Sequence, residues 1–145
     1  MKTITNSEKE TFELARKFAA KLCGGEILAL IGELGAGKTV FVKGLAKGLG
    51  VKNIITSPTF VLMKIYNSKN QKIKKLKNQK FIHIDAYRLN DGQALEEIGA
   101  LEYFGDENAI VAIEWADRVK DILPKSAIKI KFKILKDNQR EILIK

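Results

Sequence analysis

Little in this sequence could brace the fold covalently or anchor it in a membrane. The chain has one cysteine, Cys23, so an internal disulfide is excluded, and no second cysteine lies nearby to form a metal knuckle. We therefore expect Cys23 to be a small buried residue. No apolar run approaches the roughly 18 residues of a membrane span, and the N-terminal letters MKTITNSEKE lack the apolar core of a secretory signal. The sequence predicts a cytoplasmic protein without a membrane partner.

No internal repeat divides the chain, and its 145 residues are close to the usual size of one domain. Hydrophobic residues make up 46% and charged residues 30%, a balance that excludes a chain disordered throughout. We predict a single domain over residues 1–145.

Acidic residues are scarce in two parts of the chain. Residues 64–80 hold seven lysines and no acid, and residues 125–145 hold seven basic and two acidic residues, whereas residues 85–121 hold ten acids. Within a net charge of +9, this asymmetry predicts two faces with different partners, one of them polyanionic. The alternative is that the lysines only keep exposed strands soluble.

Helix and strand patterns alternate in the N-terminal part of the chain. Ser7 and Glu10 have the spacing of a capping box, and apolar residues then recur at helical intervals as far as Gly24. Ile27–Ile31 is wholly apolar, as expected of a strand covered on both faces. A second helical pattern follows the next glycine-rich segment and stops near Gly50. The order strand, loop, helix is typical of an α/β fold.

The remainder of the chain predicts further strands and one short helix. Strand patterns lie at residues 60–66, 81–84, 109–113, 128–134 and 142–144, and a short helix is predicted at 93–99. Residues 67–80 form a long basic connection between two of the strands. The last two strands predict a terminal antiparallel hairpin.

The segment GELGAGKT, residues 32–39, matches the complete P-loop pattern. Its glycines let backbone N–H groups approach phosphate oxygens, and the following helix adds the positive end of its dipole. We expect Lys38 to reach the β- and γ-phosphates and Thr39 to hold Mg²⁺. The predicted nucleotide-binding residues are Glu33, Leu34, Gly35, Ala36, Gly37, Lys38, Thr39 and Val40. The alternative is a plain glycine turn between a strand and a helix.

Two acids end buried strand patterns and are candidates for the chemistry. Asp85 follows the 81–84 run and Glu114 follows the 109–113 run, and neighbouring parallel strands would place both beside Thr39. One would bind Mg²⁺ with Thr39, directly or through water, while the other orients or deprotonates the attacking water. The sequence does not assign the two roles, and for each acid a structural role such as helix capping is the alternative.

Three other residues near these runs are open to two interpretations. Thr59, presented after Pro58, is a candidate switch threonine that senses the γ-phosphate, or part of a plain turn. His83, within an apolar strand, is interpreted as structural rather than catalytic. Trp115 could pack under the nucleotide or in the core.

The expected triphosphate is ATP, because the Asn-Lys-x-Asp and Asp-x-x-Gly segments of the switch GTPases do not occur. A small-molecule kinase would usually carry an arginine-bearing lid, yet Arg16, Arg88, Arg118 and Arg140 are scattered along the sequence. The kinase interpretation is weakened but remains an alternative.

The segments GELGAGKT, SPTF, HIDAYRL and IEWADR, in this order and spacing, resemble the bacterial TsaE (YjeE) family of ATPases. That family serves in the N6-threonylcarbamoyl modification of adenosine beside the anticodon of tRNAs that read codons beginning with A. The resemblance implies a P-loop NTPase-like three-layer α/β sandwich with a mixed central sheet. It also implies ATP and Mg²⁺ as cofactors and a weak ATPase activity that rises with partner proteins.

The partners implied by the resemblance are TsaD, which transfers the threonylcarbamoyl group, and its paralogue TsaB, on whose dimer TsaE docks. The resemblance also places Thr59 as the switch-like threonine and Asp85 and Glu114 as the two site acids. Tyr87 and Arg88 fall on motif positions whose roles stay unassigned. The basic connection departs from the family pattern, and the stretch from Lys69 to Lys80 could contact tRNA phosphates weakly.

Three hypotheses follow from the sequence. The first is a partner-activated ATPase in tRNA modification, supported by all four segments. The second is a P-loop kinase for a small acceptor, supported by the P-loop alone. The third is a nucleic-acid-binding ATPase, supported by the basic connection and the basic C-terminal strands.

Overall fold

A computed structural model describes residues 1–56, 61–69 and 78–145 of the chain. The strands are β1 (Lys2–Thr5), β2 (Ile27–Ile31), β3 (Met63–Asn67), β4 (Lys80–Asp85), β5 (Ala109–Glu114), β6 (Ile128–Ile134) and β7 (Arg140–Ile144). The helices are α1 (Glu8–Ala19), α2 (Lys38–Gly48) and α3 (Gln93–Glu97), with single 3₁₀ turns at Ala100–Tyr103 and Ala116–Val119. Nowhere in the described ranges is a helix both long and apolar enough to span a membrane.

The described strands form one mixed sheet in the order β1-β7-β6-β2-β5-β4-β3. The four central strands β6, β2, β5 and β4 are parallel, and β3, β7 and β1 pair antiparallel at the two sides. The predicted α/β fold with a mixed sheet and a terminal hairpin, formed by β6 and β7, is therefore confirmed. Strand β1 was not predicted, because its four residues carry no distinctive pattern and their pairing with β7 depends on the opposite end of the chain.

The sheet lies between two apolar layers. On one face α1 and α2 cover β2, β4, β5, β6 and β7, and the largest fully buried side chains there include Phe41 and Phe81. On the other face α3 and the two 3₁₀ turns cover β2, β4 and β5 around Ile82, Ile84 and Ile113. Strand β5 is buried along its whole length, as its uninterrupted apolar run predicts. These layers form the expected three-layer sandwich.

Helix α1 begins as its sequence predicts. The Ser7 hydroxyl accepts a hydrogen bond from the backbone N–H of Glu10 at 3.1 Å. The Glu10 carboxylate reaches back to the backbone N–H of Asn6, at 2.7 Å, one residue before the usual partner in a capping box. The first turn of α1 is thereby fixed close to the P-loop.

The single cysteine contradicts the sequence-based expectation. Cys23 is exposed, not buried. It lies in the turn between α1 and β2, where its backbone N–H donates to the Glu26 carboxylate at 2.7 Å. The Glu26 carboxylate also accepts the Gly24 N–H at 2.8 Å, and the Cys23 thiol donates to the Lys21 carbonyl oxygen at 3.7 Å, so the side chain stays with its own exposed turn and does not enter the core.

Helices α1 and α2 approach each other closely at two glycines. A Cβ at Gly44 would meet the carbonyl oxygen of Phe12 and the methyl group of Ala15, and a Cβ at Gly48 would lie 2.6 Å from the Ala19 methyl. Both contacts are closer than real Cβ atoms allow, so only glycine fits at these positions. This contact holds α2, which carries the first residues after the P-loop, against α1.

Replacing Gly44 with alanine is expected to lower the free energy of unfolding. In an open helix this change would stabilise by about 1 kcal/mol, but overpacking a tight contact usually costs about 1–3 kcal/mol. Urea unfolding followed by circular dichroism measures the difference. Lys47→Ala, at an exposed position on the same helix, is the matched control and should change stability by less than about 0.5 kcal/mol. An alanine variant as stable as the original protein would contradict the close helix contact.

Candidate functional site

The P-loop connects β2 to α2 at the carboxyl edge of the sheet. Gly35 and Gly37 have φ values of +76° and +98°, which favour glycine because a Cβ is strained there. Gly37 caps α2, and within the described residues no side chain makes a capping hydrogen bond at this end of the helix. A loop of this geometry binds anions through backbone N–H groups.

The Lys38 ammonium group is held inside the loop. Its Nζ donates to the carbonyl oxygens of Gly32 and Glu33, at 2.6 Å and 2.8 Å, and lies 3.8 Å from the centre of the Trp115 ring. The residue is only 4% exposed, and this burial lowers the pKa of the Lys38 amine below its ordinary value, although nearby carboxylates oppose the shift. A phosphate oxygen would supply the counter-charge that this poorly solvated cation needs.

Thr39, the first hydroxyl residue of α2, contacts one of the two candidate acids. Its Oγ1 lies 2.9 Å from Oε2 and 3.1 Å from Oε1 of Glu114, so its single proton is shared between the two carboxylate oxygens. Glu114 is 2% exposed at the end of β5. The sequence places these residues far apart, and the fold brings them together as the parallel-strand argument predicted.

Asp85 lies at the same edge of the sheet. It pairs in register with Glu114 across β4 and β5, and it is only partly buried. Its Oδ1 accepts the backbone N–H of Tyr87 at 3.0 Å. The two acids therefore differ in their surroundings, since Glu114 is enclosed beside Thr39 and Asp85 faces the open side of the site.

An aromatic cluster borders the site beyond Lys38. The Tyr87 and Trp115 rings lie 4.9 Å apart, and the Arg118 guanidinium lies 5.4 Å and 5.6 Å from their respective ring centres. Trp115 has a φ of +58°, a strained value for a residue with a side chain. Of the two positions considered for Trp115, the structure shows features of both, since its ring lies beside the Lys38 ammonium group and also packs against the apolar layer under α3. Arg88, which belongs to the same sequence segment as Tyr87, is exposed.

Two of the four arginines that are scattered along the sequence, Arg118 and Arg140, lie beside the site in the folded chain. Arg118 lies three residues after Trp115, within the 3₁₀ turn Ala116–Val119. This short separation from Trp115 was the sequence signal that could have placed Arg118 at the site. Arg140, at the start of β7, donates from Nη2 to the carbonyl oxygen of Gly35 at 3.2 Å. No local sequence pattern predicts the contact between Arg140 and Gly35, because it depends on the β6–β7 hairpin folding back over the P-loop.

The cleft around these groups has two connected parts. One part is lined by the P-loop from Leu34 to Val40 together with Asp85, Tyr87, Glu114 and Trp115. The other lies between the start of α1 and the β6–β7 hairpin and is lined by Ser7, Glu8, Thr11, Gly35, Gly37, Val40, Asn138 and Arg140. All of the predicted nucleotide-binding residues from Leu34 onward line the cleft. Thr59, and residues 70–77 of the connection predicted over residues 67–80, lie outside the described residues.

Comparison with known proteins decides the family. The model of the threonylcarbamoyl adenosine biosynthesis protein TsaE matches residues 5–142. This chain belongs to the TsaE family. The match includes the P-loop, both site acids and the aromatic cluster, and it confirms the resemblance seen in the sequence.

Individual TsaE relatives align over nearly the whole chain. The tRNA threonylcarbamoyladenosine biosynthesis protein TsaE of Aquifex aeolicus is 40% identical over 145 residues, covering 97% of this chain and 92% of its own length. The Bacillus subtilis TsaE is 37% identical, covering 98% of this chain and 83% of its own length. The crystal structure of Bacillus subtilis YdiB superposes with a TM-score of 0.79 at 33% identity, covering 99% of this chain and 83% of that structure. The TsaE family therefore matches this chain in both sequence and fold.

Proposed function

We propose that this protein binds Mg·ATP at the P-loop and hydrolyses it to cycle a complex of TsaB and TsaD homologues in tRNA threonylcarbamoyladenosine biosynthesis. The observation that carries the proposal is the contact between Thr39 and Glu114 beside the P-loop lysine. The chain would act on its partner complex and would not itself transfer the threonylcarbamoyl group. Membership of the TsaE family supports the pathway, and the site supports the nucleotide chemistry.

The residues at the site fit Mg²⁺ and a triphosphate. Thr39 and Glu114 provide hard oxygen donors 2.9 Å apart, which suit Mg²⁺, and Asp85 lies at the same edge of the sheet. When bound, Mg²⁺ would neutralise charge on the phosphate oxygens. The P-loop N–H groups would hold the β-phosphate, and Lys38 would exchange its carbonyl partners for phosphate oxygens.

Glu114 and Asp85 would have different roles, one in metal binding and the other in hydrolysis. Glu114, enclosed beside Thr39, is the better placed for the metal. Asp85 is partly exposed beside the cleft, so it would orient the attacking water and accept its proton as the bond from the γ-phosphorus to the β–γ bridging oxygen breaks. Thr59 is proposed to close on the γ-phosphate as a switch threonine.

The open side of the cleft provides a surface on which an activating partner protein would dock. Leu34, at the tip of the P-loop, is 76% exposed, and Tyr87 is 46% exposed, so two apolar side chains flank the entrance. A docked protein would cover them and exclude water from the site, which raises the strength of every electrostatic contact inside it. A site completed in this way is slow when the protein is alone.

The test is ATP hydrolysis with Mg²⁺ by the purified protein, alone and with matching TsaB and TsaD, with and without tRNA. We expect slow turnover alone and marked stimulation by the protein pair. Lys38→Ala with the same partners is the control for contaminating ATPases. Absence of both stimulation and binding to the pair would overturn the proposed role in the complex.

The kinase alternative gains one observation from the structure, since Arg118 and Arg140 lie beside the cleft. Arg140 is already bound to the backbone oxygens of Asp137, Gln139 and Gly35, so it is committed to holding the hairpin and the P-loop. Phosphoryl transfer to an added acceptor metabolite, in place of transfer to water, would favour the kinase.

A weak tRNA contact through the stretch from Lys69 to Lys80 is a further proposal about partners. The three β6 lysines Lys129, Lys131 and Lys133 are also exposed, alternating with inward-facing apolar residues. Such contacts would be salt-sensitive and independent of sequence. Replacement of the connection's lysines with glutamine should leave the partner-stimulated ATPase intact if these residues only attract tRNA.

A further inference from the structure

His83 is fully buried in β4, on the sheet face covered by α2. Its Nε2 lies 2.8 Å from Oε1 of Glu114. Within the described part of the chain, the other ring nitrogen, Nδ1, is buried and has no hydrogen-bond partner. The sole polar contact of this ring therefore points at a candidate metal ligand.

The unequal surroundings of the two ring nitrogens determine where the proton lies. A proton on Nδ1 would be a buried donor without an acceptor, which costs about 1–3 kcal/mol. It would also leave a lone pair of Nε2 facing a carboxylate oxygen. A proton on Nε2 satisfies both ends of the contact, so Nε2–H donates to Glu114.

The sheet register explains how the ring reaches this carboxylate. His83 lies directly across from Ala112, and Glu114 is two residues further along β5 on the same face. The small Ala112 side chain leaves room for the imidazole to reach diagonally toward Glu114, a distance that long side chains span. A larger residue at 112 would push the ring out of this position.

We propose that His83 is a positioning residue for Glu114: it holds Oε1, so that Oε2, the oxygen nearer to the Thr39 hydroxyl, is directed to the metal position. The inference rests on the proposed function, because it gives Glu114 the role of a metal ligand. Without the His83 contact, the Thr39 hydroxyl would be the remaining described side-chain donor to this carboxylate, so rotation about the last bond of Glu114 would be less restrained. Its oxygens would then be misplaced for Mg²⁺, although the P-loop would still bind the nucleotide.

Two substitutions separate the donor from the volume of the ring. His83→Gln keeps an N–H donor at about the reach of Nε2, whereas His83→Met fills the space without a donor. We expect His83→Met to raise the Mg²⁺ concentration for half-maximal hydrolysis by about 10- to 100-fold, the usual range for a residue that supports a metal ligand. His83→Gln should recover most of that loss, and ATP binding without Mg²⁺ should be unchanged in both variants. Ile84→Val, buried on the opposite face of the same strand, is the control for loss of stability alone.

A double-substitution cycle tests whether His83 acts through Glu114. In a Glu114→Gln background, His83→Met should add little further loss of Mg²⁺-dependent nucleotide binding. An equal loss in both backgrounds would overturn the inference, as would unchanged metal dependence in His83→Met. These binding measurements need no turnover, so they remain decisive even if the original protein hydrolyses no ATP, a result that would count against the proposed function alone.

The chain contains one histidine, so its imidazole spectrum needs no assignment. A long-range ¹H–¹⁵N correlation on the ¹⁵N-labelled protein should show the ring proton on Nε2. The Nε2 signal should shift in Glu114→Gln but not in Ile84→Val. A proton on Nδ1, or an Nε2 signal that does not change in Glu114→Gln, would overturn the inference.

Discussion

Replacing Lys38 with alanine is expected to reduce ATP turnover by about 10²- to 10³-fold, the usual effect of removing one donor that stabilises transition-state charge. The ammonium group already lies inside the P-loop on the carbonyl oxygens of Gly32 and Glu33, so it needs only to exchange partners when phosphate arrives. Nucleotide binding by calorimetry and hydrolysis by phosphate release measure the two parts of the effect. Normal ATP-dependent activity in Lys38→Ala would contradict the site assignment.

The same substitution should leave the fold intact, and its effect on stability should depend on pH. Burial lowers the pKa of the Lys38 amine in the folded protein below its unfolded value of about 10.4. Between the two pKa values the unfolded chain binds more protons, so stability rises with pH there. The original protein should therefore gain stability relative to Lys38→Ala as the pH rises through that window.

Substitution of the two acids one at a time is expected to separate metal binding from hydrolysis. Glu114→Gln weakens the oxygen site beside Thr39, so the Mg²⁺ concentration for half-maximal activity should rise by at least about 10-fold. Asp85→Asn leaves the Thr39–Glu114 pair intact, so the Mg²⁺ dependence should not change. It should instead lower turnover at saturating Mg²⁺ by about 10²-fold or more, because a general base contributes about that much to the rate. Hydrolysis measured across a Mg²⁺ series distinguishes the two effects.

Asp117→Asn is the matched control for these two substitutions. Asp117 lies in the 3₁₀ turn after Trp115, close enough to influence Lys38 electrostatically but not in contact with Thr39. It should retain both turnover and metal dependence within a few-fold. Full activity in both Glu114→Gln and Asp85→Asn would refute the proposed roles of the two acids, and reversed phenotypes would exchange them.

Features encoded locally could be predicted from the sequence. The apolar run of β2, the glycines of the P-loop and the helical spacing of α2 are adjacent in the chain, so their order predicted strand, loop and helix correctly. The meeting of Thr39 and Glu114 was also predictable, because it follows from the general rule that parallel strands end at one edge of a sheet. The assignment of Mg²⁺ and ATP to that meeting point, and of a single domain to residues 1–145, stays a prediction.

Features that depend on distant pairing could not be predicted. Strand β1 exists because β7 lies beside it, and Arg140 reaches Gly35 only after the hairpin has folded over the P-loop. The exposure of Cys23 is set by a turn whose backbone hydrogen bonds leave no pattern in the sequence. The partner of His83 was similarly hidden, since the alternation of apolar residues in β4 shows that the ring is buried but not what it contacts.

The position of β2 between β5 and β6 also determines when the site first exists during synthesis. Leu28 pairs with Ile128, which leaves the ribosome 100 residues later. At about 5–20 residues per second, that delay lasts about 5–20 s. Until then the strand that ends in the P-loop has no neighbour on that side, and its apolar run is available to chaperones. A nascent chain therefore carries the complete GELGAGKT segment for most of its synthesis before β2 is paired on both sides.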